Sequence, residues 1–197
     1  MAEETEFAMG AEASCMDGPC GEVTRVIIDP ATEKVTHLVI EPKLRFSAGR
    51  LVPLALVETA ADGIRLRCTV EEFGGLEAAE KTELVNDITG GPGLGLYAPM
   101  GVSYPIPVVV EDVVPLGEED IDRGEPVHAL DGEIGRVEGF GVDPGDHRVT
   151  HVLLQEGHLW GRRDVAIPVS AVTKVENGIW LSLTKKQVED LPARSPD

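Results

Sequence analysis

Apolar and polar residues alternate along this chain in short runs. Ile64-Arg-Leu-Arg-Cys68 places Ile64, Leu66 and Cys68 on one face and two arginines on the other, the period of a half-buried strand. Ile179-Trp-Leu-Ser-Leu183 repeats the pattern, with Ile179, Leu181 and Leu183 inside and Trp180 outside. Asp17-Gly18 and Asp131-Gly132 signal hairpin turns, because glycine takes positive φ without strain. Asp29-Pro30 and Asp143-Pro144 mark the following turns, since proline fixes φ near about −65°. Thr69-x-x-Glu72 and Thr184-x-x-Gln187 are capping boxes, and each predicts a short helix just after the last strand.

These signals come in two sets. Shifted by 114 residues, the chain matches itself: Asp17-Gly18-x-x-Gly21-x-Val23 lies over Asp131-Gly132-x-x-Gly135-x-Val137, and Val35-Thr36-His37 over Val149-Thr150-His151. After one inserted residue, Val52-Pro53-Leu54 lies over Ile167-Pro168-Val169. The repeat sets the boundaries at 7–76 for copy 1 and 121–191 for copy 2. Two copies are too few for an open solenoid, so two self-contained units are expected, each with its own core. Five or six short strands and one helical turn in so short a unit predict a small β-barrel. Residues 77–120 between them read as an acidic Gly/Pro-rich linker, with Thr89-Gly-Gly-Pro-Gly-Leu-Gly-Leu-Tyr97 at its centre. Within it, Ile106-Pro-Val-Val-Val110 (106–110) is a candidate edge strand docked on a barrel, where proline is tolerated.

Taken in order and twice over, these motifs resemble the PRC-barrel family, which is named for the cytoplasmic domain of the photosynthetic reaction-centre H subunit. A related barrel forms the C-terminal half of a bacterial ribosome maturation factor. The matching residues are Asp17, Gly18, Gly21, His37 and Pro53 in copy 1, and Asp131, Gly132, Gly135, His151 and Pro168 in copy 2. The resemblance implies a mainly β protein of two tandem PRC-type barrels, each ending in a helical turn, that serves as an assembly or docking module. It implies no shared catalytic residues and no shared cofactor.

Charge narrows the partners. The chain of 197 residues carries a net charge of −18, and residues 77–123 alone hold ten acidic and two basic residues. Such a chain repels phosphate backbones and anionic lipid, so a basic protein is the easier partner and nucleic acid is excluded. No apolar run approaches the roughly 20 residues of a membrane span, so no membrane insertion is expected. The acidic start and three sparse cysteines fit a cytoplasmic, reducing location. Aromatics are only 4% of residues, so the core is expected to be aliphatic.

Candidate chemistry is sparse. His37 and His151 lie on equivalent strands without a zinc-like cluster beside them, and read as structural. Cys15 and Cys20 correspond to Ala129 and Ile134 in copy 2, which marks them as small hydrophobes. No serine or carboxylate spacing marks a nucleophile or an acid–base pair. The hairpin tips stand out as basic and aromatic on an acidic chain: Lys43, Arg45 and Phe46 in copy 1, and His158, Trp160, Arg162 and Arg163 in copy 2. Trp and Arg dominate interface hot spots, so these seven are the candidate partner-binding residues.

The expectation is a non-enzymatic protein-interaction or assembly module with no cofactor and no metal. Its two barrels pair within the chain, and homo-oligomerisation is open. The alternatives are a ribosome-maturation-like factor that binds a basic ribosomal protein, and a metal or redox carrier.

Overall fold

The structure is a computed structural model that describes residues 5–43, 48–60, 63–84, 108–156 and 164–192. In chain order it contains β1 (Thr5–Ala8), β2 (Glu12–Cys15), β3 (Gly18–Asp29), β4 (Lys34–Glu41), β5 (Arg50–Pro53), β6 (Val57–Ala60), β7 (Gly63–Leu66) and α1 (Val70–Gly74). Then come β8 (Glu80–Leu84), β9 (Val108–Asp112) and β10 (Glu119–Asp122). The last set is β11 (Pro126–Ala129), β12 (Gly132–Val142), β13 (Val149–Glu156), β14 (Asp164–Pro168), β15 (Val172–Val175), β16 (Ile179–Leu181) and α2 (Lys185–Glu189). The protein is mainly β, and both short helices begin at the predicted capping boxes, where Thr69 and Thr184 accept from the backbone N–H of Glu72 and Gln187.

Two sheets carry the same strand order. In copy 1 the path is β5-β4-β3-β2-β7-β6; in copy 2 it is β14-β13-β12-β11-β16-β15. Within each path only β2–β7 and β11–β16 run parallel. A three-residue 3-10 turn joins the two end strands of each path, Leu54–Leu56 in one and Val169–Ala171 in the other, so each sheet curls back toward itself. The β3–β4 register slips between Val23 and Arg25 and again between Ile27 and Ile28. The β12–β13 register slips at the equivalent places, Val137/Gly139 and Gly141/Val142. Bulges sharpen the local twist that such curling requires.

The repeated glycine and aspartate each meet a backbone group distant in sequence. A Cβ on Gly21 would collide with the Glu41 carbonyl, and one on Gly135 with the Gln155 carbonyl, so β3 and β12 cross their neighbours only without a side chain. Asp17 Oδ1 accepts from the Val70 N–H at 2.8 Å, and Asp131 Oδ1 from the Lys185 N–H at 2.8 Å. The aspartate of the first turn therefore caps the distant helix, satisfying a donor that has no partner within the helix.

A seventh strand in each sheet comes from the segment that leads into the other copy. β1 pairs with β12 and sets Phe7 opposite Phe140; β10 pairs with β3 and sets Ile121 opposite Val26. β1 and β10 are themselves 114 residues apart, so the exchange is reciprocal. Between the sheets Lys34 bridges Arg148, its own repeat equivalent. The Val35 N–H donates to the His147 carbonyl at 3.0 Å and the Val149 N–H to the Glu33 carbonyl at 2.9 Å. A residue paired with its own repeat equivalent lies on a local twofold, as in a self-complementary dimer interface.

The expected pair of separate cores is not what the packing shows. Phe7, Ile121 and the inward residues of both sheets, from Val23 and Leu38 to Leu154 and Ile179, form one contiguous buried cluster. The exchanged strands are the cause, because each delivers its apolar side chain across the boundary. The aliphatic expectation holds broadly, with Phe7, Phe73 and Phe140 as the buried aromatic exceptions.

The segment expected as a linker has regular structure at both ends. β8 and β9 form an antiparallel ribbon, with Glu80 opposite Asp112. Of the strand expected at 106–110, Val108–Val110 fall within β9, whose ladder partner is β8; Ile106 and Pro107 lie outside the described residues. Before the ribbon, the Leu51 N–H donates to the Glu77 carbonyl at 2.9 Å and the Ala79 N–H to the Gly49 carbonyl at 2.8 Å. Ala79, Val113 and Val114 then cover Ile27, Val39 and Leu51, a second small cluster on the outer face of copy 1.

Candidate interaction surface

Arg25 is the one buried charged side chain among the described residues, at 4% exposure. It sits on β3 beneath the ribbon. Its guanidinium bonds Asp112 of β9 through Nη1 and Glu80 of β8 at 3.2 Å, with Asp120 and Asp122 of β10 each 3.7 Å away. A forked, permanently charged guanidinium suits this task, since it binds several carboxylates from one position. Burial works against its charge, but Asp112, Asp122 and Glu80 more than offset that and raise its pKa.

Four carboxylates around one cation leave an excess of negative charge. Burial raises the pKa of Asp122 and Arg25 lowers it, with Asp120 and Asp112 adding repulsion; the net shift is upward. Glu125 is also raised, first by burial and then by Asp122, Asp120 and Glu119. Glu111 and Asp112 are exposed, while Glu118, Glu119 and Asp120 are half-buried. The stretch from β9 to Glu125 is thus an acidic ridge, and among the described residues one buried guanidinium, Arg25, lies at its base. Sequence reasoning missed Arg25. The available signal was a break in the repeat: a charged residue within an apolar strand stands where copy 2 has Gly139.

Of the seven residues expected to bind partners, only Lys43 lies within the described structure. It is exposed and pairs with Glu12 across the surface. Each side chain raises or lowers the other's pKa in the ordinary sense of an ion pair, Lys43 upward and Glu12 downward, chiefly through their hydrogen bond. Arg45, Phe46, His158, Trp160, Arg162 and Arg163 lie outside the described residues. The other tryptophan, Trp180, does face outward as expected. Its ring stacks on His128 at 4.3 Å with an interplanar angle of 20°, and its indole N–H donates to the Glu176 carbonyl at 3.3 Å.

The histidines sit on β4 and β13, half-buried, each opposite the proline of its own repeat: His37 opposite Pro53 and His151 opposite Pro168. His37 Nδ1 lies 3.0 Å from Thr36 Oγ1 and 3.7 Å from Glu118. Thr36 Oγ1 donates to Glu118 at 2.6 Å, so the Val-Thr-His strand also pins the chain just before β10. Cys15, Cys20 and Cys68 are all buried. Burial, together with the neighbouring thiols, pushes Cys15 up to about 12 and Cys68 to about 11, and raises Cys20 as well. All three are protonated at neutral pH, the state of a small apolar side chain rather than of a nucleophile.

No helix among the described residues is long and apolar enough to cross a membrane. No group of His, Cys, Asp and Glu among the described residues is arranged to hold a metal ion. No family model matches the chain, and no curated protein matches it.

Proposed function

We propose that this chain is a protein-interaction or assembly module, built from two PRC-type barrels, that presents its acidic ridge to a basic protein. The observation that carries the reading is the crowding of Glu80, Asp112, Asp120 and Asp122 around Arg25, which places more negative charge on β8, β9 and β10 than that one guanidinium neutralises. The barrel assignment rests on the repeated motif order and on the curled strand path. Electrostatic complementarity of this kind steers association and makes it salt-dependent. The basic, aromatic hairpin tips belong to the same proposal as a second contact, through Trp160, Arg162 and Arg163.

The experiment is capture from host extract on the immobilised full chain, at low and at high salt, against the variant Glu111→Gln/Glu119→Gln/Asp120→Asn. Basic proteins retained at low salt by the parent and lost by the variant support the ridge; equal retention overturns it. Trp160→Ala with Arg162→Ala and Arg163→Ala tests the tips by the same capture. Co-sedimentation with the small ribosomal subunit identifies the case in which the basic partner is a ribosomal protein. A carrier of metal or electrons through the cysteines is the weaker reading, because those thiols are buried and protonated.

A further inference from the structure

A cleft of about 200 Å³ opens where the exchanged strand β10 meets the interior of copy 2. Its floor is apolar and fully buried: Ile121, Phe140, Val152 and Ile179. Its rim is polar, formed by Glu33, Glu119, Thr173 and Lys174. The Lys174 ammonium is already paired with Glu176, whereas neither Glu33 nor Glu119 is in an ion pair among the described residues. The repeat gives a comparison for the lining. Ile121, Val152 and Val169 replace the larger Phe7, Leu38 and Leu54 of copy 1, while Phe140 replaces the smaller Val26, so the interior is reshaped rather than merely emptied.

We infer that this cleft binds a small amphipathic cation, with an aliphatic tail or single ring on the floor and an ammonium group against Glu33 and Glu119. An apolar cavity of roughly 150 Å³ already accepts a benzene ring, so a tail of about six to eight carbons fits. The uncompensated rim carboxylates select a cation over an anion of equal length. Because Ile121 and Glu119 belong to β10, an occupied cleft also braces the joint between the two sheets. This inference does not depend on the partner-binding role proposed above.

The test uses the full chain with hexylammonium, hexanol and hexanoate, followed by calorimetry and thermal melting. Hexylammonium is expected to bind saturably and raise the melting temperature, hexanol to bind more weakly, and hexanoate weakest. Across butyl-, pentyl- and hexylammonium, affinity should rise about fourfold per methylene as each leaves water. Val172 of β15 also lines the cleft, so Val172→Phe should fill it and abolish binding, and Glu119→Gln should reduce hexylammonium affinity toward that of hexanol. Absence of saturable binding, equal binding of hexanoate and hexylammonium, or unchanged binding in Val172→Phe overturns the inference. If Val172→Phe fails to fold, Glu119→Gln decides alone, and an unchanged preference for the cation overturns it.

Discussion

The two exchanged strands occupy the same place in their sheets but are held by different chemistry. On β10, the rung Asp122–Arg25 is an ion pair and the rung Ile121–Val26 is aliphatic. On β1, the equivalent rungs are Ala8–Gly139 and Phe7–Phe140. Gly139 lets the β1 backbone approach so closely that a Cβ there would strike the Phe7 carbonyl. Arg25 at the same position instead projects outward and draws in β8 and β9, which have no counterpart in copy 2 among the described residues. Backbone pairing sets the exchange, and side chains are then free to secure it either by close packing or by charge. Only the second way creates a surface with charge left over.

The largest effect expected from breaking this arrangement is at the aromatic rung. Phe7→Ala should cost about 3–5 kcal/mol, and Ile121→Ala about 2–5 kcal/mol. Since both side chains belong to one core, denaturation followed by tryptophan fluorescence and by far-UV circular dichroism should give a single coincident transition for each variant. Two separated transitions would show that the halves fold independently despite the exchange.

Next comes the charged rung. Arg25→Met should cost about 3 kcal/mol in urea denaturation, near the lower end for a broken buried pair because Asp112 and Asp122 stay half exposed and rehydrate. High salt should narrow the difference between parent and variant by screening the stranded carboxylates. A variant as stable as the parent would reduce the network to a surface feature.

The turn aspartates test where the copies are alike. Asp17→Ala and Asp131→Ala should each cost about 1 kcal/mol, the usual effect of losing a helix cap, and should do so equally. Unequal losses in thermal melts would mean that the two caps are not equivalent in energy.

The smallest effect has the opposite sign. Glu125 has a raised pKa in the fold, first through burial, so its ionised form is disfavoured there relative to the unfolded chain. Its stability contribution is present below the ordinary carboxylate range and is lost as pH rises through its folded pKa. Glu125→Gln should therefore gain a few tenths of a kcal/mol at pH 7, and the gain should fade as pH falls through the raised folded pKa and be lost below the ordinary carboxylate range. A gain independent of pH would assign the effect to something other than charge.

The sequence by itself determined the local elements and their duplication. Turns at Asp17-Gly18 and Asp131-Gly132, the outward face of Trp180 and both capping boxes follow from short-range chemistry, which a pattern of two or four residues carries in full. The offset of 114 residues was also enough to show that the same fold is built twice. Other features depend on contacts between residues far apart in the chain, which no local pattern encodes. Asp17 caps a helix 53 residues away, and Gly21 is required by a carbonyl on the next strand. Arg25 finds Asp112 across 87 residues. The exchange of β1 and β10 was hidden for a further reason. A strand pairs through its backbone, so its sequence specifies an alternating face but not which copy's edge it joins. Only the tertiary structure decided that each copy lends its first strand to the other.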